Sequence, residues 1–160
     1  MENFSVTILG SSSASPTSRR NTSSQLVNFY QRLYLIDCGE GTQVQLRKNK
    51  IRFSKINHIF ISHLHGDHFF GLVGLLSTYG ILSREKELHI YGPKGIKEVT
   101  LLSLKISQSH AKYKMIFHEL VSKESEVIFE DEKVSVSTIP LRHRVYTNGY
   151  LFTEKESSLK

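Results

Sequence analysis

Six consecutive residues, His63, Leu64, His65, Gly66, Asp67 and His68, gather three imidazoles and one carboxylate into a single short stretch. Imidazole nitrogen and carboxylate oxygen are the donors that hold zinc in hydrolytic sites. In an extended segment side chains alternate, so His63 and His65 can point the same way. Asp67 and His68 can then face a second ion, with Gly66 giving the backbone freedom to bend. The chain has 8 His in 160 residues, and at this composition such a pattern arises by accident in roughly one chain in 3,000. The chemistry it points to is metal-assisted hydrolysis, in which the metal activates water and stabilises developing charge.

The other histidines read differently. His58 and His89 sit in strand-like patterns, and His110 and His118 are isolated, so all four read as structural or surface residues. His143 follows the strand-like KVSVSTIP and precedes Gly149–Tyr150. From position alone it is either the third nitrogen ligand that His63 and His65 lack or a surface residue. Asp37 closes LYLID, where it can either accept backbone N–H bonds from the metal loop or cap a helix. Cys38 has no neighbouring base and reads as a small buried filler.

The elements that must position these groups follow from periodicity. Phe4–Leu9 alternates as a strand, and a Ser-rich loop carrying Arg19, Arg20 and Asn21 follows it. Leu26–Phe29 and Leu33–Ile36 form a hairpin turning near Tyr30–Arg32, and Gly39–Thr42 opens a short helix with basic residues in its last turn. The strand His58–Ser62 runs straight into the histidine cluster. Helical spacing covers 69–82 and 96–106, Leu88–Tyr91 is a strand, and 113–152 reads mostly as strands. This order predicts an α/β chain: a mixed sheet with helices on one face, its other face left for a second half of the molecule or another chain to cover.

Composition narrows the setting. Apolar residues make up 39%, enough for a packed core in one domain. A single cysteine excludes an intrachain disulfide and suits a reducing compartment. With no signal-peptide pattern at the N-terminus and no apolar run of roughly 18 residues, a soluble cytoplasmic protein with no membrane association is expected. The net charge of +6 fits either an anionic partner or a solvated basic surface.

The segments LGSSSASPTSRRNTSSQLV, YLIDCGEGTQVQLRK, INHIFISHLHGDHFFGLVGLL, LHIYGPKGI and PLRHRVYTNGYLF, taken together, resemble the ribonuclease Z family of tRNA 3′-processing endonucleases in the metallo-β-lactamase superfamily. The resemblance covers nearly the whole chain, in the family's order. It implies an αββα sandwich, of which this chain supplies about half, over residues 1–160. It implies two zinc ions per complete site, with His63, His65 and His143 on the first and Asp67 and His68 on the second. Asp67 is also the implied general base. Arg20 and Asn21 match a loop beside the family's active site and become candidates for phosphate contact or for shaping the site, with a merely structural loop as the alternative. Precursor tRNA is the implied substrate and a homodimer the implied complete enzyme. Val73 stands where the family usually has Pro. The family also has a tRNA-clamping arm, a metal-bridging aspartate and further histidines that the resemblance places after Lys160, and Asp131 does not match the bridging position. The chain alone is therefore expected to be nearly inactive and to self-associate. The rival readings are another phosphodiesterase or arylsulfatase-like hydrolase of the same fold, or an inactive metal- or RNA-binding fragment.

Overall fold

The computed structural model describes residues 4–109 and 111–155, so His110 lies outside the described residues. Six strands form one sheet in sequential order: β1 (Phe4–Gly10), β2 (Ser24–Phe29), β3 (Arg32–Ile36), β4 (Ile56–Phe60), β5 (Leu88–Pro93) and β6 (Met115–Leu120). The first three are antiparallel neighbours, and β3 through β6 run parallel. The β2–β3 hairpin turns at Tyr30 and Gln31, both at positive φ, as a two-residue turn matching the strand twist requires. Parallel strands need crossovers. α1 (Thr42–Lys48) lies between β3 and β4, α2 (Gly66–Phe69) and α3 (Leu72–Ile81) between β4 and β5, and α4 (Ile96–Ile106) between β5 and β6.

Central strands buried on both faces read as unbroken apolar runs. Leu26, Leu35, Ile59 and Ile90 pack under the helices against Leu46, Leu72, Leu75 and Ile96. Their sequence neighbours Val27, Tyr34, Phe60 and Tyr91 point to the opposite face. Here the structure departs from expectation. That face is not left open: β7 (Val127–Glu130), β8 (Val134–Pro140) and β9 (Asn148–Glu154) form a separate antiparallel sheet whose Val134, Val136, Tyr150 and Phe152 pack on it. The chain thus builds three layers of the αββα sandwich, and the buried apolar residues of its helices all lie on the same side. The pattern of short strands after Tyr113 is legible in sequence, but whether they extend the first sheet or form another depends on pairings that periodicity does not encode.

The helix expected over 69–82 is α3, which starts at Leu72 and is preceded by the separate short α2. The break falls at Phe70–Gly71, where the Gly71 N–H donates to the Cys38 carbonyl at 2.9 Å. A Cβ on Gly71 would lie 2.1 Å from the Gly39 carbonyl oxygen. This close approach locks the metal-loop helix to the turn after β3.

Candidate metal centre

Strands β3 and β4 pair in parallel, so the residues leaving their carboxyl ends emerge side by side, the position where α/β sheets display their sites. Asp37 follows β3; Ser62, His63 and His65 follow β4. Asp37 is 4% exposed and takes a positive φ of 56°, which turns its carboxylate across the gap. It accepts the Ser62 N–H at 2.8 Å and the Ser23 and Ser62 hydroxyls at 3.1 Å each, and it lies 2.6 Å from His68 Nδ1. Of the two roles read for Asp37, the structure selects the grip on the metal loop: the residue preceding α1 is Gly41, not Asp37. Gly66 begins α2 without a positive φ, contrary to the bend read for it. Its missing side chain makes room for the Phe70 ring, whose nearest atom would be 2.2 Å from a Cβ there.

His63, His65 and His143 converge. His63 Nε2 lies 3.1 Å from His65 Nδ1, and His143 Nε2 lies 3.5 Å from the same atom. One ligand atom from each of the three falls within 4.8 Å of the others. His63 and His65 come from the loop after β4, and His143 from the loop joining β8 to β9. That loop is docked by Asn148 N–H donating to the Ser62 carbonyl at 3.1 Å and by the Tyr150 hydroxyl donating to the Ile61 carbonyl at 2.7 Å. His68 and Asp67 stand beside this triad. The His68 ring centre is 4.0 Å from that of His63, and its Nε2 is 3.4 Å from Asp67 Oδ2. The Ala14 N–H, from the Ser-rich loop, donates to Asp67 Oδ2 at 2.8 Å.

Electrostatics separates the groups. Burial, then the neighbouring histidines, pushes His63 down to about 4, so its ring is neutral with a lone pair to give. Burial also works against charge on His68, but the hydrogen bond and charge of Asp37, with Asp67, raise it above the ordinary histidine value. Asp67 loses solvation too, yet the Ala14 N–H and His68 hold it below the usual carboxylate range. A cavity of about 500 Å³ opens over the cluster, lined by Asp37, Ser62, His63, His68, His143 and Tyr150 among others.

The residues fit a metal ion: three imidazole nitrogens converge, one of them on a ring kept neutral, beside a carboxylate and a fourth imidazole oriented by Asp37. The loop candidates are placed less directly. Asn21 donates to the Glu40 carbonyl at 3.2 Å and accepts from Gln45 at 2.7 Å, which ties its amide into the scaffold. Arg20, toward the β2 end of the same loop, is exposed beside Gly10 and Ser11 at the end of β1. The Ser62 hydroxyl, the Ala14 N–H and Arg144, 3.4 Å from His65 Nε2, were not anticipated. A serine hydroxyl and a backbone amide carry no signal in sequence. Arg144, one residue from His143, could have been suspected from its place in the Arg-His-Arg run.

A family model described as anti-Pycsar protein Apyc1 matches residues 4–157. The ribonuclease Z of Bacteroides fragilis is 52% identical over 155 residues, 97% of this chain and 51% of that protein. The chain spans about half the length of the curated relatives it matches. The crystal structure of human tRNase Z, short form, superposes with a TM-score of 0.87 at 35% identity, covering 94% of this chain and 64% of that one. The metallo-β-lactamase fold protein YhfI from Bacillus subtilis, at 20% identity and a TM-score of 0.70 over 92% of this chain and 56% of its own, shares the fold.

Proposed function

The chain belongs to the metallo-β-lactamase-fold family that the anti-Pycsar protein Apyc1 model describes, and within that fold its sequence lies with the ribonuclease Z proteins; on that premise we propose that it supplies the metal-binding half of a zinc-dependent endoribonuclease that removes the 3′ trailer from tRNA precursors and leaves a 3′-hydroxyl. The observation that carries this is the convergence of His63, His65 and His143 at strand ends in a chain so close in sequence and shape to tRNase Z. His63, His65 and His143 would hold one zinc ion; Asp67 and His68 would contribute to a second. Zinc held there supplies Lewis-acid charge and acidifies water, the chemistry that phosphodiester hydrolysis needs near neutral pH. Asp67, ionised and fixed by the Ala14 N–H, accepts the proton of the attacking water. Asp37 keeps the His68 ring oriented with Nε2 toward the site. Among the described residues Asp67 and His68 are too few to hold the second ion tightly, so the 160-residue chain by itself is proposed to be nearly inactive. A buried lone Cys38 suits the cytoplasm; the complete enzyme is proposed to be a homodimer.

The test is cleavage of a tRNA precursor with a 3′ trailer by the zinc-loaded chain, alone and mixed with the remaining half of the Bacteroides fragilis relative. Trailer release with a 3′-hydroxyl, dependent on both halves and lost with His63→Ala and with chelator, is expected. Absence of bound zinc in the parent chain would sink the metal assignment. A second reading is favoured by the family-model match and by a site with nothing in it particular to RNA: a phosphodiesterase of another substrate. Hydrolysis of bis(p-nitrophenyl) phosphate by an assembly that leaves the precursor intact would establish it instead.

A further inference from the structure

The loop that delivers His143 also delivers two arginines, Arg142 and Arg144. Its base is closed by Leu141 N–H donating to the Thr147 carbonyl at 3.0 Å. Its flank is fastened to the turn after β6 by the Tyr146 hydroxyl, which donates to the Ser122 carbonyl at 2.7 Å. That bond brings Lys123 to the same place. Between the loop and the turn lies a second cavity of about 510 Å³, lined by Lys123, Arg142, His143, Arg144, Tyr146 and others. Leu141, Arg142, His143 and Thr147 line both this cavity and the one over the histidine cluster, so the same loop borders both.

The charge in this second cavity is unbalanced. Among the described residues no carboxylate lines it. Among the described residues none of Lys123, Arg142 and Arg144 belongs to an ion pair, whereas Arg32, Lys114 and Lys155 each do. Arg144 instead directs Nη2 at His65 Nε2, 3.4 Å away, which sets a guanidinium at the margin of the metal centre. Two cations on a fastened loop and a third on the turn it is fastened to, with no anion of the protein's own among the described residues, form a receptor for one, and the guanidinium fork suits phosphate oxygens in particular. We propose that Lys123, Arg142 and Arg144 form a phosphate subsite that holds the backbone phosphate next to the scissile one. The subsite rests on the reading of the metal centre as a nuclease site. It makes the β8–β9 loop a substrate-positioning element as well as a carrier of His143.

The experiment measures binding of a single-stranded RNA spanning the tRNA–trailer junction to the 160-residue chain, by fluorescence anisotropy over a range of salt. The variant Lys123→Gln/Arg142→Gln/Arg144→Gln should bind at least about tenfold more weakly at low salt, with its log–log salt slope shallower by about 0.7, the contribution of the one single-strand phosphate that the subsite holds. Lys97→Gln/Lys105→Gln, exposed on α4, is the control and should match the parent. RNA binding equal in parent, triple variant and control would overturn the subsite and leave the nuclease reading standing. A second probe separates the other failure: inorganic pyrophosphate titrated against the Arg142 and Arg144 side-chain Nε–H resonances. Shifts there, in a chain that binds no RNA, would keep the anion subsite and sink the RNA reading. No response to either probe overturns the subsite.

Discussion

Replacing His58 with phenylalanine should remove much of the acid sensitivity of the fold. His58 lies on β4, on the face turned to the three-stranded sheet. Its ring is 4.3 Å from that of Phe129, stacks on His89 at 5.0 Å and sits 5.7 Å from Tyr34. Its Nδ1 is buried with no hydrogen-bond partner. Burial first, and then the charge of His89, pushes it down to about 4; His118 and Arg84 act in the same direction, and Asp131 opposes them. The unfolded chain restores the ordinary value of 6.5. The folded protein therefore binds fewer protons at this residue than the unfolded one. Its contribution is fully present above 6.5, is lost as pH falls from there toward 4, and does not decline further below. At about pH 5 the linkage amounts to about 2 kcal/mol. His63, shifted similarly, is present in both proteins and cancels in the difference. The measurement is urea unfolding followed by far-UV circular dichroism, since the chain has no tryptophan. The stability of His58→Phe relative to the parent should rise by about 2 kcal/mol between about pH 7.5 and pH 5. A difference that stays constant across that range would refute the argument that a neutral, buried His58 is what acid attacks.

Asp37→Ala should release the Ser62 N–H immediately before His63, along with the His68 ring, lowering affinity for the zinc proposed on His63, His65 and His143 by about 10–100-fold in competition with a chromogenic chelator; unchanged affinity would mean that Asp37 does not hold the His63 loop in place. Asp67→Ala, in the chain joined to its relative's remaining half, should abolish precursor cleavage while keeping much of the RNA affinity, which comes mainly from phosphate contacts. Cleavage at a near-parental rate would strip Asp67 of its role as base. Gly71→Ala should cost about 3 kcal/mol, because the new methyl meets the Gly39 and Cys38 carbonyls; an unaltered melting temperature would show that α3 can shift away from the turn.

Much of this site was legible because its ligands are neighbours in sequence. His63, His65, Asp67 and His68 share one strand-to-helix junction, and residue type with spacing was enough to gather them. His143 was ambiguous by position alone, since the pairing of β8 with β9 and the docking of their loop on Ser62 bring it in, and such tertiary events leave no periodic trace. The carboxylate that organises the cluster, Asp37, showed only a strand end; its φ of 56° is what aims it at His68. In the fold, strands and helices followed apolar spacing closely, Ile96–Ile106 to the residue. The break at Gly71 was missed because the apolar spacing continues through it, and the cause lies 32 residues earlier in the Gly39 carbonyl. The second sheet was missed for a related reason: alternation in KVSVSTIP and GYLF fixes which side chains point inward, not which sheet they join.

The triad spans two layers. His65 leaves the six-stranded sheet, and His143, 78 residues later, arrives on the loop of the three-stranded one. An ion gripped by both would act as a rivet through the seam between the sheets. Its binding energy becomes available only after the β8–β9 loop has docked, so it is added to docking by mass action, about 2.7 kcal/mol at a hundredfold excess over the dissociation constant. Without the ion the same loop would spend more time lifted away from Ser62. The lifetime of the chain against proteases would then track the supply of that ion.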